Sequence, residues 1–291
     1  MIRQVILFSI LFTAASFVAT AAHPVRMPEV KVEDTYSGLA EERPVGPTGR
    51  PEWTSARRFT TTRVYIQKSP WEVGVEQWWR IRDKRDDSIE NLFIEEVEIG
   101  LPFRMQLDLY ENWVVDQDRK ARHDNFAVEL RWALADWGVI PMNPTLYAEY
   151  KWVDKGSDVV EFKLLLGDQI LPRLHYGINF VYEKEFSNAD RVTEFQITGG
   201  LSYTVLDEKV GIGVEAKYVQ ESTHFDRGEP EQKFLIGPSV QFRLTPRVHL
   251  DLVCLFGTNR DAQRHEGWMV LGYDFGPQDE HGYKPTSGMR N

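Results

Sequence analysis

The chain has 291 residues, a formal net charge of −10, a hydrophobic fraction of 42% and a mean hydropathy of −0.41. That length is enough for one large domain. The hydropathy excludes a bundle of membrane-spanning helices, and the acidic balance excludes nucleic acid as a partner and a polybasic hold on a membrane surface. A transmembrane β-barrel stays open, because half of each strand faces the lumen and keeps the average hydrophilic.

Residues 1–21 read as a cleaved signal peptide: Arg3 gives the positive start, Val5 to Val18 the apolar run, and Ala19-Thr20-Ala21 the cleavage site. The protein is therefore expected to be exported. Cys254, the single cysteine, makes no internal disulfide and reads as a small apolar strand residue. Residues 22–70 are rich in Pro, Gly, Thr and charge, as in Glu42-Arg43-Pro44-Val45-Gly46-Pro47, and are expected to form an irregular periplasmic extension. Within it, 59–67 offers an additional strand, cut off by Pro70.

Residues 71–277 alternate apolar and polar side chains almost without pause, the period of a strand with two unlike faces. Twelve strands are expected, near 71–81, 91–100, 103–115, 125–137, 145–153, 158–166, 173–183, 192–205, 210–220, 232–244, 247–256 and 266–275. The clearest pair is a hairpin in which Phe195, Ile197, Leu201 and Tyr203 face away from Gln196, Thr198, Ser202 and Thr204, with a turn at Asp207-Glu208-Lys209. Its arms have the length that a tilted strand needs to cross a bilayer core. Odd-numbered connections are polar and often long, while even-numbered ones are mostly tight. Outer-membrane barrels have long extracellular loops and short periplasmic turns. Both termini then lie on the periplasmic side, and 278–291 forms a polar C-terminal tail.

Alternation suits a soluble β-sandwich equally well. The signal peptide, the loop asymmetry and the aromatics favour the barrel. Trp79, Trp113, Trp137, Tyr150, Trp152, Tyr182, Tyr203, Tyr218, Trp268 and Tyr273 fall towards strand ends, as an interfacial girdle does, although core packing also uses such residues. The expected fold is all-β: a single antiparallel up-and-down transmembrane barrel of about twelve strands.

Strands such as Val128-Glu129-Leu130-Arg131-Trp132 and Gly211-Ile212-Gly213-Val214-Glu215-Ala216-Lys217-Tyr218 resemble those of Gram-negative outer-membrane β-barrel proteins. The chain is loosely similar to the transporter and phenol-degradation meta-pathway barrels of that class. The resemblance implies an outer-membrane location and passage of a solute. It transfers no catalytic residue, and the polar tail departs from the terminal aromatic that serves those barrels as an assembly signal.

No phosphate-binding glycine loop, dinucleotide fingerprint or CxxC occurs, so no cofactor is expected, and no enzyme. A lipase reading fails for want of a His-x-Ser pair, and Asp86-Asp87 with His123 is the weak constellation for a protease. His123, His224 and His265 fall in predicted loops beside carboxylates, a weak set for zinc; solvated loop histidines are the plainer reading.

The expected function is a channel or transporter for small solutes with a charged lumen. The alternatives are a non-conducting structural or adhesive barrel, or an outer-membrane hydrolase. The expected partners are the lipid bilayer, lipopolysaccharide, the barrel-assembly machinery and a small solute. Four strands carry Glu-x-basic on the inner face: Glu129/Arg131, Glu149/Lys151, Glu161/Lys163 and Glu215/Lys217. With connections centred on Ile140 and Gly156, the first three pairs build two rows of alternating charge, Glu129–Lys151–Glu161 and Arg131–Glu149–Lys163.

Overall fold

The computed structural model describes residues 38–115, 120–186 and 189–276. The signal peptide expected at 1–21 and the tail at 278–291 lie outside them. Two short strands, β1 (Pro44–Val45) and β2 (Arg50–Pro51), pair with each other near the start. Then come β3 (Val73–Asp83), β4 (Ile89–Leu101), β5 (Met105–Val115), β6 (Ala121–Ala133), β7 (Thr145–Val153) and β8 (Val159–Leu171). β9 (Leu174–Glu185), β10 (Thr193–Leu206), β11 (Val210–Ser222), β12 (Glu231–Thr245), β13 (Val248–Gly257) and β14 (His265–Phe275) complete the series. β3 to β14 form one closed antiparallel barrel, each strand beside its chain neighbours, with β14 sealing onto β3. Closure leaves no free edge, so every strand finds its backbone partners inside the sheet.

The two faces of each strand follow the alternation. On β6, Phe126, Val128, Leu130 and Trp132 point outward, while Asn125, Ala127, Glu129 and Arg131 are buried inside. On β9, Leu174, Tyr176, Ile178 and Phe180 face out, and His175, Asn179 and Val181 are buried. β3 to β5 break this pattern. Gln77, Glu95 and Glu111 are direct cross-strand neighbours on the outer face.

The tight turns, such as 172–173, 207–209 and 246–247, share one end of the barrel with the start of β3 and the finish of β14. We call it the turn end. Connections 84–88, 154–158, 223–230 and 258–264 lie at the loop end. The expected division of connections holds with one exception, 134–144, a long excursion at the turn end.

Several expectations about position change. The strand expected at 125–137 runs from Ala121 to Ala133. Trp137 beyond it packs edge-on against Trp53 and Tyr65 instead of joining a girdle. Trp268 points into the lumen and packs on Trp78, donating its indole N–H to Glu266 at 2.9 Å. The expected strand at 59–67 is absent, and residues 38–70 do not form an outlying extension. They cross the turn end and enter the barrel.

Candidate functional site in the barrel lumen

Residues 40–52 brace the turn end. The backbone N–H groups of Ala40 and Glu41 donate to the Asp207 carboxylate at 2.7 and 3.1 Å. Trp137 N–H donates to Thr48 O at 3.0 Å, and Arg243 donates to Glu52 at 2.7 Å. Burial raises the Glu41 carboxyl above its ordinary range, against the pull of Arg58.

From Arg57 onward the segment enters the lumen and returns. Arg57 donates to Glu76 on β3 at 2.6 Å and to Glu96 on β4 at 3.4 Å. The N–H groups of Thr60 and Thr61 donate to Glu215 on β11 at 2.9 and 2.7 Å. Arg63 reaches Glu96 at 2.9 Å, while its backbone exchanges two 2.7 Å hydrogen bonds with Asn179 on β9. Gln106 on β5 accepts from the N–H groups of Gln67 and Lys68. The Lys68 ammonium, fully buried, sits 3.1 Å from Glu98 and donates to Asp274 on β14. These partners come from strands right round the barrel, and only a segment inside the lumen reaches them all.

An irregular chain carries backbone polar groups that no ladder satisfies, so the inward side chains replace that ladder. Its apolar residues find company as well. Trp53, Phe59, Val64, Tyr65, Ile66 and Ala133 form one buried cluster, and burial pushes the Tyr65 hydroxyl up to about 12. Room for it comes from three inward glycines in direct register, Gly167, Gly177 and Gly200. A Cβ on Gly200 would meet Phe59 at 2.3 Å, and one on Gly167 would meet Val64 at 2.6 Å. That glycine row is the local signal of a lumen occupant, one that alternation does not report.

The eight ladder residues do lie on the inner face. Glu129, Arg131, Glu149, Glu161 and Glu215 are buried, and Lys151, Lys163 and Lys217 half-buried. Their pairing differs from expectation. Glu129 stands opposite Glu149, and Glu149 opposite Glu161; Arg131 faces Tyr147, which faces Lys163. Both connections centre one residue earlier than expected, which slides each register by two. In 134–144, Asn143 sets the geometry: its carboxamide oxygen accepts Gly138 N–H at 2.7 Å and its amide donates to Gly167 O at 3.0 Å. In 154–158, Asp158 accepts Val153 N–H at 3.1 Å. A slide of two keeps every side chain on its face, so alternation is blind to it.

Charge pairing survives along and between strands. Lys151 lies 3.4, 3.2 and 2.8 Å from Glu149, Glu161 and Glu183. Lys163 lies 2.5 Å from Glu161, and Lys217 3.7 Å from Glu266. Arg131 joins Asp108 at 2.6 Å and also contacts Glu129. The hydroxyls of Tyr110 and Tyr147 donate to Glu129 and Glu149. Between this charged wall and the tip of the segment lies a cavity of about 150 Å³, bounded by Thr60, Arg63, Glu161, Lys163, Gln196 and Lys217.

The three loop histidines are not gathered into a shared metal site. His123 bonds Glu111 at 2.6 Å and Asp154 at 2.9 Å; His224 sits 3.0 Å from Arg227; His265 lies 3.1 Å from Asp83. Among the described residues, the groups of three possible ligands within 4.8 Å of one another include none of them. Asp86 and Asp87, the protease candidates, bond Ser88 and Arg264.

A family profile described as the MetA-pathway of phenol degradation matches residues 165–268, from β8 into β14. No curated protein matches the chain. Among solved structures, the COG4313 outer membrane channel from Pseudomonas putida F1 aligns with a TM-score of 0.52 at 9% identity, over 76% of this chain and 99% of that one. The NanC porin aligns with a TM-score of 0.49 at 12% identity, over 70% of this chain and 100% of that one. Residues 165–268 resemble the phenol-degradation family, and the fold is a closed twelve-stranded antiparallel barrel, similar to that of the Pseudomonas putida channel.

Proposed function

We propose that the protein is an outer-membrane channel for small solutes, with a charged lumen, held closed at its periplasmic end by its own N-terminal segment. The observation that carries this reading is the lumen itself. It is wide enough to hold an irregular polypeptide, and its wall meets that polypeptide with polar side chains from all round the ring. A barrel with no passage to provide is more simply filled by side chains of its own strands. The turn end is periplasmic in this reading, the outer belt meets bilayer and lipopolysaccharide, and the barrel-assembly machinery inserts the chain.

Planar-bilayer recording of the full chain and of a variant lacking residues 38–66 tests the reading. The full chain is expected to pass little current and the variant much more, with heat-dependent gel migration showing that both barrels are folded. Two folded barrels that are equally silent would leave the structural or adhesive reading in its place.

A second reading rests on the outer wall. Gly237 and Pro238 on β12 interrupt the ladder to β13, since proline donates no hydrogen bond, and a hollow of about 430 Å³ lies there. Trp79, Ile81, Pro238, Val240, Leu252 and Cys254 line it, a surface suited to an apolar solute arriving from the bilayer. A bulky maleimide on Cys254 should then block uptake of an apolar solute while leaving ion current intact.

A further inference from the structure

The true register creates an arrangement that the expected one hid. Following direct cross-strand partners from β4, the inner wall reads Glu98, Asp108, Glu129 and Glu149. β8 to β12 continue the same row with Glu161, Glu183, Glu194, Glu221 and Glu231. Nine neighbouring strands each place a carboxylate on one line. Because the strands of a barrel are staggered, the line climbs. Glu98 stands near the turn end, and Glu231 opens β12 at the loop end. Exposure climbs with it. Glu98, Asp108 and Glu129 are 0% exposed, whereas the side chains of Glu183, Glu221 and Glu231 are 26%, 31% and 63% exposed.

Direct partners on adjacent strands stand about 5 Å apart, inside a screening length of about 8 Å at physiological salt. Each carboxylate's field therefore overlaps the next. The wall offsets the row only in part. Four of its cations, Arg131, Lys151, Lys163 and Lys233, lie within 4.0 Å of row members, four against nine. Arg80, Arg82 and Lys217 make their closest pairs with Glu90 and Glu266, and Lys217 and Arg82 reach the row member Glu194 only from beyond 4.0 Å. Among the described residues, Glu194 has no cation within 4.0 Å.

A second, independent observation names the ligand chemistry. Glu98, at the inner end of the row, and Glu76 and Glu96 beside it already hold cations carried on a linear chain. Lys68 sits on Glu98 at 3.1 Å, Arg63 lies 3.9 Å from Glu98 and 2.9 Å from Glu96, and Arg57 joins Glu76 and Glu96. With the segment seated, guanidinium and ammonium groups occupy this end; with it withdrawn, carboxylates face the water.

We propose that the row selects linear organic cations bearing two or more amino or guanidino groups, leading them from the loop end to the carboxylates that Arg57, Arg63 and Lys68 now hold. This rests on the channel reading and specifies its solute. The N-terminal segment then stands in for the solute and competes with it.

Reversal potentials in a KCl gradient test the selectivity, using the full chain, the variant lacking 38–66, and that variant carrying Glu161→Gln, Glu183→Gln and Glu194→Gln. Cation preference is expected in the truncated barrel and should fall several-fold in the triple variant; Glu194→Gln alone, which breaks no ion pair, should lower it in part. Spermidine added at the loop end should block current, and a dicarboxylate of similar length should not. Anion preference, or a triple variant indistinguishable from its parent, would overturn the proposal. Should no form conduct, the channel reading falls, and calorimetric titration of the detergent-solubilised truncated barrel with spermidine tests the row alone. Heat that disappears in the triple variant upholds it, and no heat refutes it.

Discussion

The two ends of the lumen use the same side chains to opposite effect. At the turn end, Lys68 is closed off between Glu98 and Asp274, and Arg57 and Arg63 are packed onto Glu76 and Glu96 with almost no exposure. At the loop end, Lys233 meets Glu221 and Glu231 at 2.6 and 3.0 Å, with Lys233 and Glu221 half-buried and Glu231 exposed to water. The distances are alike, and the difference is hydration. A buried charge must be matched by its partner, because water cannot replace that partner; a hydrated pair is exchangeable. The turn end is therefore built to hold, and the loop end to let go.

The sharpest way to break this contrast is to remove one cation at each end. Lys68→Met removes the nearest cation from two buried carboxylates, Glu98 and Asp274, and is expected to cost about 3–5 kcal/mol in denaturant unfolding of the detergent-solubilised barrel. Lys233→Met, with the same loss of one ammonium, is expected to cost about 0.2–1 kcal/mol. Equal costs would mean that the filled and open ends do not differ in hydration.

A steric probe sharpens the contrast without touching charge. Gly200→Val drives a side chain into the space that Phe59 occupies, and such overpacking costs about 1–3 kcal/mol. Relief comes from moving the segment, because the strand is fixed by its ladder on both sides. Bilayer current should rise while the heat-dependent gel shift stays as in the parent. A variant that unfolds more readily yet passes no more current would show that the segment stays seated through contacts other than this packing.

How much of this was readable beforehand depends on which interaction decides each feature. All twelve barrel strands and the inward set Glu129, Arg131, Glu149, Lys151, Glu161, Lys163, Glu215 and Lys217 followed from alternation, which reports faces. Register did not follow, since a two-residue slide leaves the faces unchanged and depends on hydrogen bonds that Asn143 and Asp158 accept. The lumen segment did not follow either. Its residues carry no sustained period, and their order comes from partners on strands all round the barrel, some more than a hundred positions away, as with Thr60 on Glu215 and Lys68 on Asp274. Among the described residues, the inward glycines of β8 to β10 recorded it locally, as did Gly74 and Gly100 against Lys68 and Ser69.

The smallest expected effect concerns the wall that the holding end leans on. β3 to β5 are polar on both faces: Glu76, Glu96, Glu98 and Asp108 face the segment, while Gln77, Glu95 and Glu111 cross the outer belt. Consecutive Glu95 and Glu96 therefore point to opposite sides of one strand. Glu96 is matched by Arg57 and Arg63, whereas the described residues offer Glu95 no hydrogen bond or ion pair. If the outer carboxylate merely sits among Val97, Phe93 and lipid, its desolvation is uncompensated, and acidic side chains on a lipid face cost less than the basic ones. Glu95→Leu should then stabilise the barrel in bilayers by about 1 kcal/mol and leave the current of the full chain unchanged. Glu96→Leu, one residue away, should raise the current by releasing Arg63 and leaving Arg57 only Glu76. A loss of stability in Glu95→Leu would show that the outer face of β3 to β5 is held against something other than lipid, and that the holding end draws on both sides of its wall.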